Sequence, residues 1–323
     1  TMKKLFPLML LAIIAAACTG RHSGTGEAEY VTYRGWDSCV KLTDGTVTAI
    51  VNPTYGAQVL YFGIDSVNCN VLWADSAINA FTVDSFIATR RAPDAGRSDI
   101  GPERVTDHIH DSIWAGAYAV TDVSSRSVTL ESVPMAKMGV KFTKKYTLAG
   151  DATLRVDLTM TNVCDSAVRY NVWTRTLLPS GGLYMAKATP TEKYPNGFSE
   201  YTFDIDSLIP GVRTDRVKLA EGIFTAFPGG ESAADCHKFC INTTPATDGD
   251  SMSTAIYMRA PYIFVKRFDY DPQGVYDMSH GIDYPNIIYF DSRFIEVEPN
   301  SPMITLKPGE SYTFTETWQL LPY

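Results

Sequence analysis

From Leu154 to Thr161 the chain reads Leu-Arg-Val-Asp-Leu-Thr-Met-Thr, apolar and polar in strict alternation. A period of two is the period of a β-strand with one buried face, so this segment requires a second layer to cover Leu154, Val156, Leu158 and Met160. Short runs of the same texture, bounded by Gly, Pro, Asp or Asn, recur along the sequence. In the first half they are Val47–Val51, Ala57–Phe62, Tyr118–Thr121, Ser127–Ser132, Val140–Leu148, Thr153–Asn162 and Arg169–Leu178. In the second half they are Lys238–Asn242, Thr254–Met258, Tyr262–Tyr270, Asn286–Phe290, Phe294–Glu298 and Ser311–Leu320. Helical periodicity is confined to Asp75–Ala88 and Asp215–Leu219. No linker rich in Pro, Gly or Ser interrupts 30–323, which predicts one all-β domain of sandwich type.

The N-terminal segment predicts a location. Met2-Lys3-Lys4 is followed by an apolar stretch, Leu5–Ala17, too short to cross about 30 Å of hydrocarbon as a helix. Ile14-Ala15-Ala16-Ala17-Cys18 resembles a bacterial lipobox, in which cleavage before the cysteine is coupled to its lipidation. Residues 1–17 are therefore expected to be a lipoprotein signal peptide, Cys18 the lipidated residue, and 18–29 a flexible tether. The lipid at Cys18 would be the membrane attachment, on the periplasmic or outer-surface face of the envelope. A formal charge of −8, with no cluster of Lys and Arg, argues against a nucleic-acid partner. Cys236-His237-x-x-Cys240 is not read as a metal site, because a strand would hold its two thiols too far apart. No metal or cofactor is expected.

Four segments carry a family resemblance. They are Val51-Asn52-Pro53-Thr54-Tyr55-Gly56-Ala57-Gln58-Val59-Leu60-Tyr61-Phe62, then Leu158–Asn162 with Arg169–Gly182 after it, then Phe294–Pro299, and last Leu306-Lys307-Pro308-Gly309-Glu310-Ser311-Tyr312 ahead of Glu316-Thr317-Trp318. In that order, over nearly all of 30–323, they resemble the galactose-mutarotase-like superfamily. That resemblance implies a large antiparallel β-supersandwich that binds a mono- or oligosaccharide. Gly101-Pro102-Glu103, Val265-Lys266-Arg267-Phe268 and Glu296-x-Glu298-x-x-Ser301-Pro302 look closer to a bacterial lipoprotein branch than to the aldose 1-epimerases themselves.

The resemblance also implies roles. Opening a pyranose takes a base on the anomeric hydroxyl and an acid on the ring oxygen. Glu296 resembles the base by position, and Glu298, two residues on, shares its face of the strand. The acid of aldose 1-epimerases is a His, and Arg175 stands at the matching place in Asn171-Val172-Trp173-Thr174-Arg175. A guanidinium does not give up its proton near neutral pH. Catalysis would then need His108 or His110, from Asp107-His108-Ile109-His110-Asp111; His280 reads as a loop residue. Arg175, Glu298, Glu103, Trp114, Trp173 and Lys266 are the expected sugar contacts. As a fixed cation near Lys266-Arg267, Arg175 would suit a carboxylate-bearing sugar, unless Glu103, Glu296 or Glu298 neutralises it. Three functions fit: a lipid-anchored sugar-binding protein without mutarotase activity, an active carbohydrate epimerase, or a structural envelope lipoprotein.

Overall fold

The computed structural model describes residues 28–75, 96–103, 111–209 and 211–323. Its strands form three antiparallel sheets of four, eight and ten strands. The alternating segment is the strand Thr153–Asn162, central in the ten-stranded sheet between Val140–Gly150 and Ser311–Pro322. Leu154, Val156, Leu158 and Met160 are buried. The opposite face carries polar cross-strand pairs, with the Thr159 and Thr313 hydroxyls 2.8 Å apart and those of Thr161 and Ser311 likewise. Burial of one face and hydrogen bonding of the other fix the register, since a slip of one residue would reverse both.

The main core joins residues from all three sheets, among them Val40, Phe62, Phe142, Leu158, Val172, Phe264, Phe290 and Trp318. The predicted strands are present and mostly longer by a residue or two. Strands that sequence patterning left out include Trp36–Thr43, Arg97–Gly101, Leu183–Lys187 and Phe198–Thr202. Asp215–Leu219, expected as a helix, is a turn leading into the strand Val217–Ala220. It pairs with Ile223–Ala226 across a turn where Glu221 and Gly222 take positive φ, so ladder bonds outweigh the local helical pattern. The Asp75–Ala88 helix expectation lies, beyond Asp75, outside the described residues, as do Cys18 and the signal sequence.

The long strand Val168–Pro179 organises the eight-stranded sheet. One edge pairs with Ile304–Leu306 through its first residues and with Phe294–Pro299 through Thr176–Pro179. Its other edge takes Arg97–Gly101, with Arg175 opposite Arg97 and Trp173 opposite Asp99. Just before Arg97–Gly101, Gly96 lets the chain pass close to Val59. It sits at φ +80°, and a Cβ there would lie 2.5 Å from the Val59 carbonyl oxygen. Among the described residues no helix is long and apolar enough to cross a membrane.

Candidate functional site

Alternation along Val168–Pro179 sends Thr174 and Thr176 into the sandwich and Trp173 and Arg175 to the other face. The inward side is closed. Lys266, wholly buried, places its Nζ 3.0 Å from Glu316 Oε2, 2.8 Å from Thr176 Oγ1 and 3.2 Å from Thr174 Oγ1. Glu316 also accepts from Trp318 Nε1 at 2.7 Å and from Thr174 Oγ1 at 3.0 Å. Lys266 is thus held between the sheets and does not join Arg175. Arg267, its neighbour, faces outward to Asp250.

The outward face gathers most of the other expected site residues. Glu296 and Glu298 lie on Phe294–Pro299, with Glu296 opposite Leu177 on one side and Tyr289 on the other. Trp173 Nε1 donates to Glu298 Oε2 at 3.0 Å. Arg175 Nε stands 3.5 Å from the same oxygen, and its Nη2 stands 3.9 Å from Glu103 Oε1. The Arg175 guanidinium also lies over Trp173, 3.7 Å from the ring centroid, and 4.8 Å from that of Trp114. Both tryptophans are buried, so they hold Arg175 in place and present no open ring for a sugar to stack on. The neutralisation of Arg175 by Glu298 and Glu103 is the internal pairing that sequence reading set against a ligand carboxylate.

Glu298 is 1% exposed. Burial, and then the like charge of Glu296, push its carboxyl up to about 7, while Lys238 and Arg175 pull it back. A carboxyl poised there exchanges protons near neutrality, as sugar-ring chemistry requires.

Two groups on this face, Arg97 and Lys238, escaped sequence reading, and His280 joins them from the loop where it was expected. Arg97, opposite Arg175, lies 4.6 Å from the Trp114 ring centroid and is nearly buried. Lys238 is aligned with Tyr289 and so with Glu296, and lies over Tyr201. His280, read as a loop residue, pairs through Nδ1 with Asp206, to which Tyr201 also donates. Its segment is tied to the face because Asn171 Nδ2 donates to Asp277 and contacts Met278, which packs with Trp173 and Ile287. Tyr201 lies opposite Lys238, so His280 stands toward the far side of the same sheet. Strand pairing places these groups, and pairing partners are not readable from one strand's own pattern. His108 and His110 lie outside the described residues. Among those described, no group of three or more His, Cys, Asp and Glu could hold a metal ion, and Cys236 and Cys240 are free thiols at either end of His237–Ile241.

No protein-family model matches this sequence, and no curated protein does. Solved structures do match in fold. A galactose mutarotase-like protein from Clostridium acetobutylicum superimposes with a TM-score of 0.59 at 11% identity, over 93% of this chain and 99% of that one. A proposed aldose 1-epimerase from Klebsiella pneumoniae gives 0.61 at 13% identity, over 91% and 83%. One from Escherichia coli K12 gives 0.56 at 14%, over 88% and 99%. The chain has the galactose mutarotase-like fold, a large antiparallel β-supersandwich.

Proposed function

We propose that this chain is a lipid-anchored protein of the bacterial envelope that binds a carbohydrate on the Arg175–Glu298 face and does not catalyse mutarotation. The observation that carries this reading is Arg175 itself. It occupies the position that resembles the catalytic acid and is fixed there by Trp173, Trp114, Glu298 and Glu103. A guanidinium orients hydroxyls and carboxylates well but supplies no proton at neutral pH. Losing general-acid help removes a factor of about 10² to 10⁴ from such a reaction. Polarimetry on freshly dissolved glucose and galactose tests it: no acceleration is expected. Acceleration that Glu296→Gln abolishes overturns the reading in favour of an epimerase. Anchoring is tested by membrane fractionation, where Cys18→Ala should move the protein out of the membrane fraction. Identical partitioning of the two forms rejects the lipid.

The second reading, an active carbohydrate epimerase, draws support from one feature, the near-neutral Glu298 carboxyl beside Glu296. It needs an acid partner, for which His108 and His110 remain the candidates proposed from sequence.

A further inference from the structure

Arg97 is a buried cation, 6% exposed, paired across the strands with Arg175 on the proposed sugar-binding face. Its Nε is buried without an acceptor, and none of its nitrogens makes a hydrogen bond or ion pair among the described residues. It lies over the Trp114 ring, 4.6 Å from its centroid. Glu296 and Glu298 favour its charge at longer range, but no carboxylate is within ion-pair distance of it among the described residues. Glu298 and Glu103 are engaged by Arg175. The Arg175 strand also runs between Arg97 and the strand of Glu296 and Glu298, which sets them two strand spacings apart, about 10 Å. Burial, and then repulsion from Arg175, lower its pKa to about 10 against the pull of Glu296, Tyr55 and Glu298, which still leaves it charged at neutral pH. A desolvated guanidinium with an unmet donor is expensive, and this one sits on the face where a ligand is expected.

We infer that Arg97 receives the carboxylate of a uronic-acid sugar bound on this face. The inference rests on the carbohydrate reading and deepens it by naming the substrate class. A guanidinium edge matches a planar two-oxygen anion through two parallel N–H···O bonds. A carboxylate would give the buried Nε the acceptor it lacks while adding only one negative charge. A phosphate dianion would add a second negative charge to a face that already holds Glu103, Glu296 and Glu298. The role that Arg175 would have had in an anion site therefore passes to Arg97, because Arg175 already has its carboxylates.

Calorimetry on the full chain tests this with galacturonate and glucuronate, their methyl esters, the neutral parents galactose and glucose, and glucose 6-phosphate. The acids should bind at least about tenfold more tightly than their uncharged esters, the gain typical of a charge-assisted pair. The esters should resemble the neutral parents, and Arg97→Gln should bring acid and ester to equal affinity. Equal binding of acid and ester by the wild-type protein overturns the inference without needing the variant to fold. So does a preference that survives Arg97→Gln, or tighter binding of the phosphate ester than of the uronates. Binding of neutral sugars with no gain for the acids defeats this inference alone. Absence of binding by every sugar defeats the carbohydrate reading and this inference together.

Discussion

The two faces of Val168–Pro179 carry the same chemistry built to different ends. Inward, Lys266 and Glu316 form a pair at 3.0 Å whose remaining donors and acceptors are taken by Thr174, Thr176 and Trp318. Outward, Arg175 meets Glu298 at 3.5 Å and Glu103 at 3.9 Å, the buried Nε of Arg97 has no acceptor, and burial together with the charge of Glu296 raises the Glu298 carboxyl to about 7. Closure separates them. A buried pair is tolerable only when its geometry is good and its leftover hydrogen-bonding capacity is met, and the inner network meets that standard. The outer cluster does not, and groups left short of partners are where a ligand can supply the missing ones.

The largest expected effect comes from breaking the inner pair. Lys266→Met leaves Glu316 charged in a dry interior and should cost about 3 to 5 kcal/mol, a fall in melting temperature of about 10 °C. Adding Glu316→Leu should restore part of that loss, as paired replacement of buried ions often does. Arg175→Met on the outer face should cost less than half as much, since Glu298 can take up a proton when its cation goes. Thermal melts of the three proteins at pH 7 decide it, and an equal loss for Lys266→Met and Arg175→Met would erase the distinction.

Glu298 sharpens the contrast through pH. Its folded-state pKa is raised from 4.5 to about 7, so the folded chain holds a proton that the unfolded chain has released. Its contribution to stability is complete below pH about 4.5 and is lost as pH rises toward about 7, at up to about 1.4 kcal/mol per pH unit. Glu298→Gln should remove that slope, read as melting temperature against pH for the two proteins. An unchanged slope would assign the dependence to other groups. The smallest effect belongs to Thr176→Val, which keeps shape but deprives Lys266 of one acceptor. A loss of about 1 kcal/mol by denaturant titration is expected, and no loss would show the inner network to be less complete than it looks.

Most of the β-architecture was legible because each strand announces itself locally. Strict alternation marked Thr153–Asn162, and β-branched runs between turn residues marked Val140–Gly150 and Tyr262–Asp269. The strands that were missed fail on local grounds. Arg97–Gly101 reads Arg-Ser-Asp-Ile-Gly and is buried at every position, so it lacks both alternation and an apolar run. Asp215–Leu219 carried a helical pattern that hairpin pairing overrode. At the site, Glu296, Glu298 and Arg175 were legible through resemblance to a family motif, while Arg97, Lys238 and His280 belong to no motif.

The sequence alone therefore determined the fold class and the parity of each long strand, since side-chain alternation is a property of neighbouring residues along the chain. It could place Glu296 with Glu298 on one face, and Trp173 with Arg175. Which strands lie side by side was decided by tertiary structure, through pairings between residues as far apart as Arg97 and Arg175. That choice moved Lys266 into the interior, away from Arg175, and brought Arg97 beside Arg175 and Trp114 instead. Only the assembled sheets set how deeply each charge is desolvated and which opposite charge stands within reach. Those two quantities separate a structural ion pair from a binding group.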